Sequence, residues 1–196
     1  MKILFIHGLA SSGAYKMSST LRILLKDSTV IAPDVPIEAD RALALLQEIC
    51  SSERPDAIVG LSLGGFWAQK LRGFPKLLVN PDFHISRLLR SKSGQEMQYL
   101  SPRSDGERYF TITPQICDSY ERLENCQFDG IDEAERALTR GAFADKDELV
   151  SGGADEFSRH YPGCGVSYPG GHLPNFPQVK EHLLPILEEL LKINKL

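Results

Sequence analysis

Ser62 lies between Gly60 and Gly64, in a glycine-x-serine-x-glycine pattern. This pattern carries chemistry when a buried strand precedes the serine and a helix follows it, because the sharp turn between them exposes the hydroxyl. The apolar run AIVG at 57–60 predicts the strand, and GGFWAQKL at 64–71 predicts the helix. The stretch is therefore predicted to be a nucleophile elbow.

Such a turn requires glycine at both positions for steric reasons. Side chains at Gly60 and Gly64 would collide with the neighbouring strand and helix, and Ser62 is forced into a strained backbone conformation. Its hydroxyl then projects above the sheet at a helix N-terminus, where the backbone N–H of Leu63 points at a developing oxyanion. Ser62 is the candidate nucleophile and Leu63 a candidate oxyanion donor.

A serine hydroxyl is a weak nucleophile and needs a general base. His172 is the candidate base, because it follows the last predicted strand in YPGGHLPNF and the paired glycines before it leave the imidazole room. Three further histidines lie in a predicted insertion or on predicted helices and are interpreted as structural or solvated: His84, His160 and His182.

The base in turn needs a carboxylate that fixes its tautomer and stabilises the imidazolium. Asp145 and Asp147, in AFADKDELV, both follow the next-to-last predicted strand, and Asp82 follows an earlier strand in NPDF. All three are candidates on position alone. A serine, an aspartate and a histidine in this chain order, each after a strand, would meet at the edge where open α/β sheets bind ligands.

The elements that must position these residues alternate along the chain. Continuous apolar runs are typical of strands buried on both faces, and they are ILFI at 3–6, TVIA at 29–32, AIVG at 57–60 and LLVN at 77–80, with later strands at 137–144 and 165–170. Helical spacing separates the runs, so we predict an α/β fold: a mostly parallel sheet flanked by helices.

Two segments depart from this alternation. Residues from about 82 to 130 are charged and aromatic, and the stretch is too long for a plain loop, so we predict a mostly helical cap insertion. Residues 176–193 predict a C-terminal amphipathic helix, which Pro185 should kink or restart. We expect one domain over residues 1–196.

Composition narrows the function classes. The chain of 196 residues has a formal charge of −4 and no basic run, which argues against a nucleic-acid partner. The four cysteines form no CxxC pair and have no zinc-ligand spacing, so no metal is predicted. No apolar stretch approaches the roughly 18 residues that span a bilayer, so we expect a cytoplasmic protein with no membrane partner.

These motifs together resemble the α/β-hydrolases over nearly the whole chain, and more narrowly the small YqiA-like esterases. The points of similarity are the opening LFIHGLASS, the stretches GLSLGGFWA and LVNPDF, and the closing GGH. The resemblance implies a carboxylic ester or thioester hydrolase with a small-molecule acyl substrate, a Ser–Asp–His triad and no cofactor. The oligomeric state cannot be read from the sequence.

The resemblance also orders the candidates. The stretch ADKDELV resembles the GxxDxxV turn that carries the triad acid, which selects Asp147 over Asp145, although alanine replaces the usual glycine at position 144. The HG pair after the first strand implies a second oxyanion donor at the N–H of Leu9, with Ala10 the alternative. His7 itself is then expected to orient the loop.

The resulting hypothesis is acyl transfer through an acyl-enzyme on Ser62. Other chemistry on the same fold stays open, namely a peptidase, a lactonase or a cofactor-free haloperoxidase. A binding protein without turnover is the alternative from another class.

Overall fold

The protein is described here by a computed structural model of residues 1–193. Six parallel strands form one sheet in the order β2-β1-β3-β4-β7-β8. They are β1 (Lys2–Ile6), β2 (Thr29–Ile31), β3 (Ala57–Leu61), β4 (Lys76–Val79), β7 (Thr139–Ala144) and β8 (Gly165–Tyr168). The predicted mostly parallel α/β sheet is confirmed.

Apolar side chains project from both faces of the central strands and are buried there. This explains the continuous apolar runs in the sequence. Alternate residues of β1 enter opposite cores: Leu4 and Ile6 pack on one side, and Ile3 and Phe5 pack on the other. All four are fully buried. The sheet is therefore the middle layer of three.

Helices cover the two faces. On the Leu4 side the sheet packs against α2 (Ala39–Glu53), α3 (Leu63–Lys70) and α7 (Gly153–His160). On the Ile3 side it packs against α1 (Lys16–Leu24) and the C-terminal helix. No helix within residues 1–193 is both long enough and apolar enough to cross a bilayer.

The C-terminal helix changes its winding before Pro185. It runs through α8 (Phe176–Gln178), a π-helical turn (Val179–Leu183) and α9 (Leu184–Ile193). Leu184 N–H donates to the carbonyl of Val179, five residues back. Pro185 has no N–H to donate, so the wider turn lies where an α-helical bond would be missing anyway.

The segment between β4 and β7 forms the expected insertion on the Leu4 side, but it is not only helical. It contains α4 (Ile85–Ser91), β5 (Glu96–Gln98), β6 (Tyr109–Thr111), α5 (Pro114–Asn125) and α6 (Glu133–Ala137). Strands β5 and β6 pair as an antiparallel hairpin. Each has three residues, too few for an alternating pattern to stand out in the sequence.

Candidate active site

The turn between β3 and α3 has the geometry of a nucleophile elbow. Ser62 adopts φ 57° and ψ −120°, a conformation that costs a non-glycine residue free energy. A Cβ on Gly60 would lie 2.1 Å from the carbonyl oxygen of Gly64, and one on Gly64 would lie 2.0 Å from that of Ile6. Both glycines are therefore required by close backbone approach.

Two backbone amides flank the serine. Leu63 is the first residue of α3, where an N–H has no partner within the helix. The loop after β1 passes directly beside Ser62, because a Cβ on Gly8 would lie 3.7 Å from Ser62 Oγ. Within residues 1–193 no hydrogen bond uses the N–H of Leu63 or of Leu9, so both donors are free for a ligand oxygen.

His172 and Asp147 meet at the ends of β8 and β7. His172 Nδ1 lies 2.8 Å from Asp147 Oδ2, and the imidazole residue is 2% exposed. The other carboxylate oxygen accepts the N–H groups of Leu149 and Val150, both at 2.9 Å. Because the carboxylate accepts, Nδ1 carries the proton and Nε2 is left as a proton acceptor.

The other two candidate acids have different partners. Asp145 Oδ1 accepts the N–H of Gly170 at 2.9 Å, which closes the turn before His172. Asp82 Oδ1 accepts the N–H of His84 at 3.0 Å, and burial raises the pKa of its carboxyl group. Among the hydrogen bonds of the described chain, only that of Asp147 reaches the His172 ring.

Ser62 and His172 are attached to the same short segment after β4. Ser62 N–H donates to Val79 O at 2.9 Å, and Asp82 N–H donates to Ser62 O at 3.2 Å. Asn80 Nδ2 donates to the carbonyl oxygen of His172 at 2.7 Å. A direct bond between Ser62 Oγ and His172 Nε2 is not among those of residues 1–193; such bonds are often long in unliganded sites.

Asn80 anchors the backbone of His172, a contact that the sequence analysis did not predict. It is 2% exposed and adopts φ 44°, a conformation that asparagine tolerates better than most residues. Besides His172, its side chain bonds Tyr168 Oη at 2.8 Å and the N–H of Ala144 at 2.7 Å. The sequence did contain a signal for this role, because a polar asparagine stands between the apolar run LLV and Pro81.

Replacing Asn80 by alanine should destabilise the protein by about 3 kcal/mol, because three buried polar groups lose their partner at roughly 1 kcal/mol each. Ester hydrolysis should fall about tenfold or more, since the His172 loop loses its anchor. Urea unfolding and steady-state kinetics measure the two effects. Asn125→Ala, at the exposed end of α5, is the matched control. Equal stability of the two variants would contradict the anchoring role.

His7 fixes the loop that carries Leu9. Its Nδ1 lies 2.8 Å from the carbonyl oxygen of Gly8 and must donate, while Nε2 accepts the N–H of Val35 at 3.0 Å. Burial lowers the pKa of His7 to about 4, partly offset by the bond to Gly8. The ring is therefore neutral at neutral pH, as this tautomer requires.

His7 should make stability depend on pH. Its pKa is lowered from 6.5 to about 4 in the folded protein, so between these values the unfolded chain binds more protons. The free energy of unfolding is thus greatest above pH 6.5 and should fall by about 3 kcal/mol as the pH drops to about 4. In His7→Asn this contribution should vanish, with His182→Asn as the matched control. Denaturation curves measured across this pH range give the free energy of unfolding at each pH. If it changed with pH equally in the wild type and in His7→Asn, His7 would not be the group responsible.

A loop of the insertion, residues 100–104, contacts the loop that follows β1; we call it the clamp loop. Leu100 N–H donates to Ala10 O at 2.7 Å, and Ser12 Oγ donates to Ser101 Oγ at 3.1 Å. Ala10 itself has a φ of 55°. The clamp loop therefore holds the residue directly after Leu9 in a conformation that alanine rarely adopts.

Asp34 links the clamp loop to the loop after β1. Its Oδ2 accepts both the N–H and the hydroxyl of Ser104 at 2.6 Å, and its Oδ1 accepts the N–H of Gly13 at 2.7 Å. Burial raises the pKa of Asp34, but these hydrogen bonds outweigh it and hold the pKa below its usual value. Asp34 therefore joins these two loops.

The sheet order, the elbow and the strand-end position of the site define an α/β-hydrolase fold. Within that class the chain belongs to UPF0227, an uncharacterised protein family, which matches residues 2–120. No curated protein matched the sequence.

Solved structures share the fold at low sequence identity. Est1E from Butyrivibrio proteoclasticus superposes with a TM-score of 0.71 at 17% identity, covering 97% of this chain and 88% of that one. A monoacylglycerol lipase from Paleococcus ferrophilus gives 0.64 at 16%, covering 97% and 94%. The thioesterase domain from the curacin biosynthetic pathway gives 0.58 at 15%, covering 97% and 90%.

Proposed function

We propose that this protein is a serine hydrolase that cleaves carboxylic esters or thioesters through an acyl-enzyme. The observation that carries the proposal is the pair formed by His172 Nδ1 and Asp147 Oδ2, 2.8 Å apart, held by the same segment after β4 that bonds to a serine at φ 57°. A monoacylglycerol lipase and a thioesterase domain among the structural neighbours are consistent with this chemistry.

In the first step, His172 Nε2 takes the proton of Ser62 Oγ while that oxygen attacks the acyl carbonyl carbon. The negative charge that develops on the carbonyl oxygen is received by the N–H groups of Leu63 and Leu9. A donor of this kind typically lowers the barrier by about 3–4 kcal/mol. Asp147 holds the imidazolium in place and stabilises its charge.

To complete the first half-reaction, His172 gives the proton to the leaving alcohol or thiol, and the bond from the acyl carbon to the leaving atom breaks. In the second half-reaction, water attacks the acyl carbon while His172 takes its proton; the bond from that carbon to Ser62 Oγ then breaks, His172 returns the proton to Oγ, and the acid departs. His172 must therefore face the leaving group in the first half-reaction and the water in the second.

The test is active-site labelling combined with a substrate screen. The full chain is treated with a fluorophosphonate, digested and analysed by mass spectrometry, and a second sample is assayed with aryl esters and acyl thioesters. We expect one adduct per chain, on the peptide that contains Ser62, and hydrolysis of at least one ester class. A folded chain that takes no label and hydrolyses none of them would instead favour a binding protein.

A further inference from the structure

A small apolar cavity adjoins the two proposed oxyanion donors. Leu9 and Leu63 both line it, and its volume is about 20 Å³. Since a single water needs about 10–15 Å³ on this measure, the cavity has room for about one water or one methyl group. Its other walls are mainly aliphatic and aromatic side chains: Val35, Ile37, Trp67, Tyr99 and Phe110.

Ser62 does not itself line this cavity, but in the proposed reaction the cavity would lie on the acyl side. The base must reach the leaving atom in order to protonate it, so the leaving group lies next to His172. Neither His172 nor Asp147 lines the cavity. The substituent of the carbonyl that points away from His172 is the acyl chain.

A much larger groove, with a volume of about 640 Å³, lies next to the small cavity. The two share four lining residues, Pro36, Ile37, Tyr99 and Phe110, which we call the neck. The volume is in the range of small-molecule sites. An acyl chain too long for the small cavity would pass the neck into this groove.

The two neck residues that belong to the insertion, Tyr99 and Phe110, are held in place by packing. The rings of Tyr99 and Phe110 lie with centroids 4.7 Å apart, and Phe110 is buried. The guanidinium of Arg103 lies 4.4 Å from the centroid of the Tyr99 ring and donates to the carbonyl of Val35 at 3.2 Å. Tyr99 is therefore packed between two neighbours, which fixes the insertion side of the neck.

The groove beyond the neck is polar, with more acidic than basic side chains. Its charged lining residues are Glu38, Asp40, Asp105, Glu107, Arg41 and Arg103. Both arginines are already paired: Arg41 with Glu38 at 3.2 Å and Arg103 with Asp105 at 2.6 Å. The described groove thus offers no unpaired cation to an anionic ligand, and Glu107 forms none of the described ion pairs.

We propose that this groove binds the distal end of the acyl group and selects chains with a short apolar stem and a neutral or cationic polar end over chains with an anionic end. The inference rests on the proposed function, because it needs Ser62 to be acylated. The apolar stem would occupy the small cavity and the neck, and the polar end would reach the groove.

The test uses p-nitrophenyl esters that share one leaving group: acetyl, hexanoyl, hydroxyhexanoyl, aminohexanoyl and the anionic half-ester of adipic acid. We expect kcat/KM for the hydroxy and amino chains to exceed that for the anionic chain by about fivefold. This is the ratio that corresponds to the interaction free energy of one pair of exposed charges. The difference should shrink at high salt. If the acetyl ester is hydrolysed but the hydroxy and anionic chains react at equal rates, the proposed role of the groove would be wrong. The proposed function would be unaffected.

Variants locate the effect. Glu107→Gln should raise the rate on the anionic chain relative to the hydroxy chain about twofold, and Glu189→Gln, on α9, is the matched charge control. Tyr99→Ala and the milder Phe110→Leu should raise hexanoyl relative to acetyl hydrolysis by widening the neck, whereas Phe128→Ala should not. Unchanged ratios in both neck variants would overturn the proposal. Failure to hydrolyse any ester, with Ser62 unlabelled, would overturn the proposed function as well.

Discussion

Replacing Ser62 by alanine should lower kcat by about a million-fold and abolish labelling by a fluorophosphonate. The loss is that large because no acyl-enzyme can form, and only the oxyanion donors and substrate binding would remain to speed hydrolysis. Alanine at this position keeps the same backbone strain, so the fold should be retained. Burst kinetics with an aryl ester, together with intact-mass analysis after labelling, measure both effects.

The matched control is Ser167→Ala, which removes an exposed hydroxyl from β8 and should leave labelling and turnover at the wild-type level. Circular dichroism and thermal unfolding of each variant establish that the chain is folded. Continued labelling of Ser62→Ala, with the adduct on another residue, would move the nucleophile elsewhere and refute the proposed function in its present form.

Replacing Asp147 by asparagine should lower kcat by about ten-thousand-fold while changing KM little. The amide can hold the imidazole in the wrong tautomer and cannot balance the charge of the imidazolium. The effect should therefore exceed what a lost hydrogen bond of about 1 kcal/mol would cause. Steady-state kinetics over a range of substrate concentrations separate kcat from KM.

Asp145→Asn is the control that makes this test sharp, because it is the same change two residues away. Its amide oxygen can still accept the N–H of Gly170, so activity should fall by no more than a few-fold. Asp82→Asn, beside the serine but bonded to His84, should behave similarly. A loss in Asp145→Asn or Asp82→Asn that matches Asp147→Asn would assign the acid differently.

The sheet could be predicted because its signal is local and strong. Runs such as ILFI at 3–6 are apolar at every position, and the structure buries both faces of β1. The elbow was equally readable, since its glycine-x-serine-x-glycine pattern is local; the structure shows that Gly60 is required by contact with Gly64 and that Gly64 is required by contact with Ile6. Ser62 and His172 were placed by their positions after strands, whereas Asp147 was chosen among three acids by its resemblance to the GxxDxxV turn; the catalytic roles of all three stay predictions.

The missing features depend on contacts between distant parts of the chain. The clamp loop and the bonds of Asn80 connect segments tens of residues apart, and no local pattern specifies them. The strands of the β5–β6 hairpin are near in sequence but too short to show an alternating pattern. Lys76 is a further example: it begins β4 fully buried, paired with Glu135 from α6. Burial of that ammonium lowers its pKa to about 8, which nothing in the run KLLV indicates.

The clamp loop joins the β5–β6 hairpin to the loop that follows β1. Lifting the β5–β6 hairpin would break the bond from Leu100 to Ala10 and release the strand-following loop that bears the amide of Leu9. In the proposed mechanism, an opened hairpin would therefore leave one of the two oxyanion amides on a loop that has lost this bond.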